Sequence, residues 1–284
     1  MAKALLSLAG LVSRLLPNSV KSAMYRLGPI SLLIRTILNR AAPQGLLEID
    51  ISAGPLHGAR MQLDLQKEKD YWLGTYELAL QKAFREKVRD GMLVFDLGAN
   101  VGYISLLAAS LVGRAGEVYA FEALPENIKR LQRNIKLNPQ LAAIHVIPKA
   151  VAAHSGKITF LVHSSGGMGK VEGSIGRAAD YEQEISVESI SLDDFVIANG
   201  RQAPDIIKID IEGGEGLALE GMQGVLKKTR PILFLELHGQ EAAKSVWKTL
   251  SAYNYSVHTL RNGYPLVSSY VDLDWKSYLM ALPL

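Results

Sequence analysis

Residues 94–127 read VFDLGANVGYISLLAASLVGRAGEVYAFEALPEN, and this stretch decides the fold. The apolar run Val94–Leu97 breaks at Gly98, and apolar residues resume at helical spacing from Tyr103 onward. A second apolar run then ends in Glu122. The order strand, glycine turn, helix, strand and acid is typical of one half of a nucleoside-binding α/β domain.

The glycine turn indicates which kind of nucleoside the domain binds. Gly98 permits close approach of a ligand, because a Cβ there would occupy ligand space, and Gly102 lets the following helix pack tightly under the turn. Glu122 ends the neighbouring strand, where a carboxylate can accept hydrogen bonds from both ribose hydroxyls. Dinucleotide sites read G-x-G-x-x-G because they cradle a pyrophosphate, whereas this chain reads G-x-N-x-G at Asn100, with Asp96 close by. An acid there repels a pyrophosphate but suits an amino group, so the pattern predicts S-adenosylmethionine.

Composition places the chain among ordinary globular proteins. Its 284 residues are 48% apolar and 21% charged, which is enough for a full core and too apolar for a disordered chain. The absence of cysteine excludes a disulfide framework, a thiolate nucleophile and cysteine-based zinc sites. It also suits a reducing compartment, so we expect a cytoplasmic protein.

Charge is distributed unevenly along the chain. Residues 1–47 contain six basic residues and no acid, which leaves −3 for the rest of a chain whose total is +3. Apolar residues between 5 and 16 and between 30 and 38 have helical spacing, but neither run reaches the ~20 apolar residues of a membrane span. Two interpretations of residues 1–40 stay open: helices that cap the domain, or a basic helix that lies on an anionic membrane surface. A nucleic-acid partner is not expected, because the basic residues alternate with aliphatic rather than aromatic ones.

Strand and helix patterns alternate along the rest of the chain, which predicts a doubly wound sheet. We predict a helical segment and a β-hairpin within residues 1–69, and the α/β domain within residues 70–284. Further strands are predicted at 46–51, 61–65, 144–151, 158–162, 205–209, 232–237, 253–259 and 278–282, the last closing the sheet edge. Further helices are predicted at 70–87, 125–138, 217–228 and 240–252. Residues 164–179 are rich in glycine and serine and are predicted to form a mobile loop.

A second group of polar residues follows two later strands. Asp210 ends a strand of isoleucines that is predicted to be buried on both faces, and Glu212 follows it. Glu236 and His238 end the next strand. Ligands of open α/β sheets bind outside the carboxyl ends of the strands, so these side chains are predicted to meet at the site. Asp210 is the first candidate for a general base and His238 the second, while Glu215 is interpreted as a helix cap.

The chain resembles the FkbM family of S-adenosylmethionine-dependent methyltransferases. The resemblance rests on Val94–Ser105, Tyr119–Asn127 and Ile207–Glu215, with further matches at Gly74–Glu77 and Ser191–Asp194. It covers roughly residues 70–240. The family implies a class I methyltransferase fold, with a seven-stranded sheet whose last strand is antiparallel, and mostly O-methylation of sugars or secondary metabolites.

The resemblance also implies roles for individual residues. Asp210 and Glu212 are expected to face the substrate. The cofactor is expected to be held by the turn and the strand ends that follow it: Asp96, Gly98, Asn100, Val101, Gly102, Glu122, Ala123 and Ala150. No resident metal is assigned, because the remaining histidines share no metal-ligand spacing: His57, His145, His154, His163 and His258.

More than one function stays open at this stage. The favoured one is O-methylation of a hydroxyl on a small molecule or glycan, lipid-linked if residues 1–40 lie on a membrane, with a carboxylate as base. A metal-assisted O-methyltransferase would place Mg²⁺ on Asp210, Glu212 and Glu236. A nicotinamide oxidoreductase needs the phosphate-binding glycine that Asn100 replaces, and a non-catalytic binding module has no need of the acids.

Overall fold

The computed structural model describes residues 2–16, 20, 36, 40, 42–163, 169–172, 174, 181–198, 200 and 202–284. The chain divides into two compact units, the first of residues 1–84 and 133–140 and the second of residues 85–132 and 141–284. The apolar run at 30–38 falls almost wholly outside the described residues, as does most of the predicted loop at 164–179. Within the described part of the chain, no helix is long and apolar enough to cross a membrane.

The described part of the chain contains eight helices and thirteen strands with defined bounds, numbered in chain order. The helices are α1 Ala2–Leu15, α2 Lys69–Trp72, α3 Leu78–Lys87, α4 Tyr103–Val112, α5 Pro125–Lys136, α6 Glu215–Glu220, α7 Gln223–Lys228 and α8 Gln240–Ala252. The strands are β1 Leu46–Asp50, β2 Arg60–Asp64, β3 Leu93–Leu97, β4 Glu117–Phe121, β5 Ala143–Ile147, β6 Ala150–Val151, β7 Gly156–His163, β8 Gly169–Val171, β9 Tyr181–Ile190, β10 Ile206–Ile209, β11 Ile232–His238, β12 Tyr255–Thr259 and β13 Lys276–Pro283. A π-helical turn spans Asp194–Ala198 and a 3-10 turn spans Tyr270–Asp272.

The first unit contains the predicted hairpin, in which β1 pairs antiparallel with β2. Two asparagines of the chain segment that ends α5 satisfy the backbone of β2. Asn134 Oδ1 accepts a hydrogen bond from Gln62 N at 2.7 Å, and Asn138 bonds both the N–H and the carbonyl of Arg60. β2 pairs with β1 along one edge, and these amide side chains form hydrogen bonds with backbone groups of β2 along its other edge.

The second unit is built on a seven-stranded sheet of order β12-β13-β11-β10-β3-β4-β5. β11, β10, β3, β4 and β5 are parallel, and β13 is antiparallel to both of its neighbours. Every residue of β3 and β10 is buried, because these two strands lie side by side in the middle of the sheet. The predicted class I methyltransferase-like sheet, with its last strand antiparallel, is confirmed.

The position of the last strand corrects one prediction. β13 does not close the sheet edge, since it is inserted between β11 and β12 and leaves β12 outermost. Ala281, near its carboxyl end, pairs with both Leu233 and Val257 and is fully buried. Burial of three consecutive residues, Leu279–Ala281, explains why the sequence from Tyr278 to Leu282 is apolar without alternation.

A four-stranded second sheet of order β6-β9-β7-β8 was not predicted. The single strand expected at 144–151 is two strands, because β5 ends at Ile147 and β6 joins this other sheet. The loop expected at 164–179 contains β8, which pairs with β7. In β9, polar and apolar residues alternate from Glu184 to Glu188, which is typical of a strand, but no strand was predicted there.

Two predicted helices are broken by close backbone approaches. The helix expected at 70–87 is α2 and α3, because Gly74 has a φ of 64° and a Cβ there would lie 2.0 Å from the carbonyl oxygen of Ala53. The helix expected at 217–228 is α6 and α7, because a Cβ at Gly221 would lie 2.2 Å from the carbonyl oxygen of Ala152. Asp193 accepts hydrogen bonds from the backbone N–H groups of Gly224 and Val225 and so fixes the start of α7.

Candidate active site

The glycine turn after β3 packs closely against Asp210, the residue that follows the neighbouring strand β10. Gly98 has a φ of 77°, and a Cβ on it would lie 2.0 Å from the carbonyl oxygen of Asp210. A Cβ on Gly102 would lie 2.5 Å from Cδ1 of Leu131 in α5. Both glycines are therefore required by protein packing. Asn100, between them, adopts a left-handed conformation with a φ of 51°.

Glu122 fixes the geometry of this turn from the end of β4. One carboxylate oxygen accepts the N–H of Asn100 at 2.8 Å, and the other accepts the N–H groups of Ala123 at 3.0 Å and Leu124 at 2.9 Å. Burial raises the pKa of Glu122 above its ordinary value, and these backbone hydrogen bonds, with one from Asn127, oppose that rise. The predicted ribose acceptor thus already serves as the anchor of the glycine turn.

The other predicted cofactor residues lie in the same region. Val101, Ala123 and Ala150 are buried. Asp96 is fully buried, and its Oδ2 accepts a hydrogen bond from Ser105 Oγ at 2.6 Å. Its other oxygen lies 3.3 Å from Nζ of Lys208 and makes no hydrogen bond among the described residues.

Lys208 is a site residue that the sequence analysis does not predict. Its ammonium is buried between Asp96, the carbonyl oxygen of Gly98 at 3.1 Å and Oδ2 of Asp210 at 3.6 Å. It therefore links the glycine turn to the candidate base. The available signal was a lysine inside an otherwise apolar buried strand, since a buried cation requires a partner.

Asp210 lies just beyond β10 and retains 18% of its side-chain exposure. Burial is the main cause that raises its pKa to about 7, with Lys208 and His238 lowering it and Glu236 and Glu212 raising it. A carboxyl group with this pKa changes protonation near neutral pH, as a general base must. The second unit thus brings the first candidate base to a partly open position beside the glycine turn.

His238 is held between carboxylates. Its Nδ1 lies 3.1 Å from Oε1 of Glu215, its Nε2 lies 3.1 Å from Oε1 of Glu236, and Oε2 of Glu212 is 3.6 Å from Nε2. Burial lowers the pKa of His238, but the hydrogen bonds to Glu215 and Glu236 outweigh burial and raise it to about 10. The ring is an imidazolium at neutral pH, with each nitrogen directed at a carboxylate.

The acids around His238 are held in place by other groups. Burial acts to raise the pKa of Glu236, but the hydrogen bond from His238 and the charge of Lys276 lower it to about 2. Glu215 is fully buried and accepts the N–H of Gly213, which precedes α6, at 3.0 Å. It therefore holds the turn before α6 and pairs with His238, and the predicted role as a cap of the helix is wrong. Glu212 has a φ of 54°, a strained backbone for a non-glycine residue at the site.

Asp210, Glu236 and His238 are close enough to share a cation, because one ligand atom from each lies within 4.8 Å of the others. Each of these groups, however, already has a cationic or anionic partner. Lys208 adjoins Asp210, Lys276 pairs with Glu236, and both nitrogens of His238 face carboxylates. The donor set therefore fits an internal network of ion pairs better than a magnesium site, which requires oxygen ligands and several waters.

The glycine turn fits S-adenosylmethionine better than a dinucleotide. Its acceptors are the Glu122 carboxylate and the buried Oδ1 of Asp96, which suit ribose hydroxyls and an ammonium group rather than a pyrophosphate. Lys208 balances the charge of Asp96, so an amino group of a ligand would share that carboxylate with Lys208. Direct contact of these residues with the cofactor stays a prediction.

The chain is similar in sequence to known methyltransferases. A model described as the methyltransferase FkbM domain matches residues 96–257. The hexuronic acid methyltransferase AglP of Haloferax volcanii is 27% identical over 66% of this chain and 70% of its own length. The 2-O-methyltransferase NoeI of Sinorhizobium fredii is 28% identical over 52% of this chain and 64% of its own.

A solved structure of the same family name is a more distant match. The crystal structure of the methyltransferase FkbM from Methylobacillus flagellatus is 15% identical, with a TM-score of 0.43 over 76% of this chain and 53% of that one.

The family model spans more than half of the chain, including the glycine turn, Glu122, Asp210 and His238. The chain therefore belongs to the FkbM family of methyltransferases, and its cofactor is S-adenosylmethionine.

Proposed function

We propose that the protein methylates a hydroxyl oxygen of a sugar, with Asp210 as the general base. The class of acceptor is suggested by the relatives, one named for a hexuronic acid and the other for 2-O-methylation. The family favours methyl transfer over the nicotinamide oxidoreductase and the non-catalytic binding module.

One observation carries the assignment of the base. Asp210 combines a position beside the Gly98 turn, partial exposure and a pKa raised to about 7 by burial. A carboxylate in this state accepts the proton of an alcohol as the new carbon–oxygen bond forms, which is worth roughly 10²–10⁴-fold in rate. S-adenosylmethionine supplies a methyl group already activated on a sulfonium, and transfer breaks the carbon–sulfur bond and releases S-adenosylhomocysteine.

His238 is better suited to holding the site than to taking a proton. A histidine base must be neutral with one nitrogen free to accept, whereas this ring is charged at neutral pH and directs both nitrogens at Glu215 and Glu236. Its positive charge also lowers the pKa of Asp210, which keeps more of that carboxyl ionised. We therefore assign His238 as a positioning residue, and Glu212 as a group facing the acceptor.

A metal-assisted transfer is the second candidate, and the proximity of Asp210, Glu236 and His238 favours it. A divalent ion would have to displace Lys276 from Glu236 and remove the proton from His238. Full activity after treatment with a chelator supports the ion-pair network. Activity that a chelator removes and Mg²⁺ restores would assign the same side chains as ligands.

A lipid-linked acceptor at a membrane surface is a further part of the proposal. Leu11 and Leu15 are exposed on α1, with Arg14 between them. Apolar and basic side chains together are typical of helices that lie in the headgroup region of an anionic bilayer. An acceptor anchored there would share a surface with the enzyme.

The direct test is transfer of a labelled methyl group from S-adenosylmethionine to a panel of methyl hexosides and methyl hexuronosides. A hydroxyl acceptor gives an ether that is stable in alkali, and a sugar carboxylate gives an ester that alkali cleaves. We expect an alkali-stable product. A labile product would show that the acceptor is a carboxylate, which needs no base, and would remove the proposed role of Asp210.

A further inference from the structure

Trp275 and Lys276 lie together at the open edge of the ion-pair network, and neither has a role in the proposed chemistry. β13 pairs with β11 so that Lys276 stands opposite His238, and the carbonyl of Trp275 accepts the N–H of Gly239 at 2.7 Å. Both residues are therefore fixed at the carboxyl end of β11, the end at which the candidate site lies.

The indole of Trp275 is exposed where a tryptophan is normally buried. All three tryptophans are described: Trp72 is buried, Trp247 is half-buried, and Trp275 retains 47% of its surface. Its ring centre lies 6.2 Å from that of His238, with the two rings edge to face. An exposed indole costs hydrophobic free energy that a ligand can recover, so its place beside the site suggests an apolar contact with the acceptor.

Lys276 provides the accessible positive charge of the network. Lys208 and His238 are buried, whereas the Lys276 side chain is 40% exposed while pairing with Glu236. Its Nζ also lies 5.3 Å from the ring centre of Tyr278, so the stem of the side chain is held near the protein surface. An ammonium has three donors, so Lys276 can pair with Glu236 and still donate to a ligand.

From this arrangement we propose that Trp275 and Lys276 form the subsite for an acidic pyranose, Trp275 contacting the C–H face of the ring and Lys276 the carboxylate. A pyranose has an apolar C–H face and a polar rim, which match an aromatic ring and a set of charged groups respectively. The cluster of Asp210, Glu212 and Glu236 would repel an anionic sugar, and Lys276 offsets that repulsion. This inference rests on the proposed function, because it names the acceptor of the same site.

The test measures the Michaelis constants of methyl hexuronosides and of the matching neutral hexosides in the full chain, and their binding by saturation-transfer NMR with S-adenosylhomocysteine present. Trp275→Ala should weaken both kinds of sugar by about tenfold, and Trp275→Phe should recover most of the loss. Lys276→Gln should reduce the preference for the acidic over the neutral sugar by about tenfold, and Lys276→Arg should retain it. Val271→Ala and Lys248→Gln, at exposed positions, serve as matched controls that leave the affinities unchanged.

The outcomes separate this inference from the proposed function. Methyl transfer to neutral hexosides, with no binding of any hexuronoside, overturns the acidic subsite and leaves sugar O-methylation standing. Equal weakening of acidic and neutral sugars by Lys276→Gln, or unchanged affinities in Trp275→Ala, overturns it as well. Tight hexuronoside binding without methyl transfer to any sugar would support the subsite and contradict the function.

Discussion

Nζ of Lys208 lies 3.6 Å from Oδ2 of Asp210, so a buried ammonium adjoins the proposed base. The same ammonium donates to the carbonyl oxygen of Gly98 and pairs with Asp96. The turn that is predicted to hold the cofactor and the carboxylate that is proposed to take the proton are therefore joined through one side chain.

Replacing this ammonium should change the pH dependence of the enzyme. Lys208 lowers the pKa of Asp210, so Lys208→Met should raise that pKa and move the acidic limb of kcat upward by about one pH unit or more. Turnover at neutral pH should fall, because less of Asp210 is ionised. The pH profile of kcat at saturating substrates measures the shift, and an unchanged limb would show that Lys208 has only a structural role.

The same substitution should also destabilise the fold. Removing one member of a buried ion pair costs about 3–5 kcal/mol, because Asp96 is left charged and buried. The double variant Asp96→Asn with Lys208→Met should recover part of the loss in urea unfolding. Lys248→Met, at an exposed position, is the control, and a similar loss there would argue against the ion pair as the cause.

Asp210 is expected to reduce stability while it serves function. Its folded pKa of about 7 lies above its ordinary value of 3.8, so folding favours the protonated carboxyl group. The stabilisation that this group adds to the free energy of unfolding is therefore complete below about pH 4 and is lost as the pH rises through 7, where the buried carboxylate is charged. Asp210→Asn should therefore raise the free energy of unfolding at about pH 8, by on the order of 1 kcal/mol or more, while activity falls. Asp272→Asn, at an exposed position, is the matched control. A less stable Asp210→Asn protein at that pH would contradict the raised pKa.

Replacing Glu122 should weaken binding of the cofactor in two ways. Glu122→Ala is expected to weaken S-adenosylhomocysteine binding by about 1.5–3 kcal/mol, the range for hydrogen bonds to a charged group. It also leaves the N–H groups of Asn100, Ala123 and Leu124 without their acceptor, so binding should cost additional ordering of the turn. Calorimetry measures both the affinity and this entropic cost. Glu126→Gln, an exposed acid on the next helix, should bind normally, and normal binding by Glu122→Ala would remove Glu122 from the cofactor site.

The membrane interpretation of α1 can be tested by sedimentation with liposomes. If α1 lies on the bilayer, binding should rise with anionic lipid content, fall with salt, and be lost when Leu11 and Leu15 are both changed to serine. Leu266→Ser, also at an exposed position, should bind as the parent protein does. Recovery of the parent protein in the supernatant at every lipid composition would leave the capping interpretation.

Local patterns were sufficient to predict the core of the second unit. The glycine turn, the acid after β4 and the isoleucine strand before Asp210 each depend on a few adjacent residues. The structure places Gly98, Glu122 and Asp210 at the carboxyl ends of three neighbouring parallel strands, β3, β4 and β10. The antiparallel last strand was implied by the family resemblance. Its place inside the sheet could not be read from the sequence, because strand order depends on contacts between distant segments.

The errors share a physical cause, which is contact between segments far apart in the chain. Gly74 and Gly221 each interrupt a helical pattern because a carbonyl oxygen of a distant residue lies where a Cβ would be. The roles of Lys208, Glu215 and Lys276 likewise depend on partners from other strands, so residue spacing alone did not predict them. The protonation of His238 was missed for the same reason, since it follows from two carboxylates that flank the ring.

The pH dependence of kcat in the parent protein and in Asp210→Asn, measured on an accepted sugar, tests the central claim most directly. We predict that kcat of the parent protein falls below a pH of about 7, and that Asp210→Asn is slower by roughly 10²-fold or more and has lost that pH dependence. Asp272→Asn should reproduce the parent profile. Near-normal turnover in Asp210→Asn, with the acidic limb still present, would contradict the assignment of Asp210 as the base.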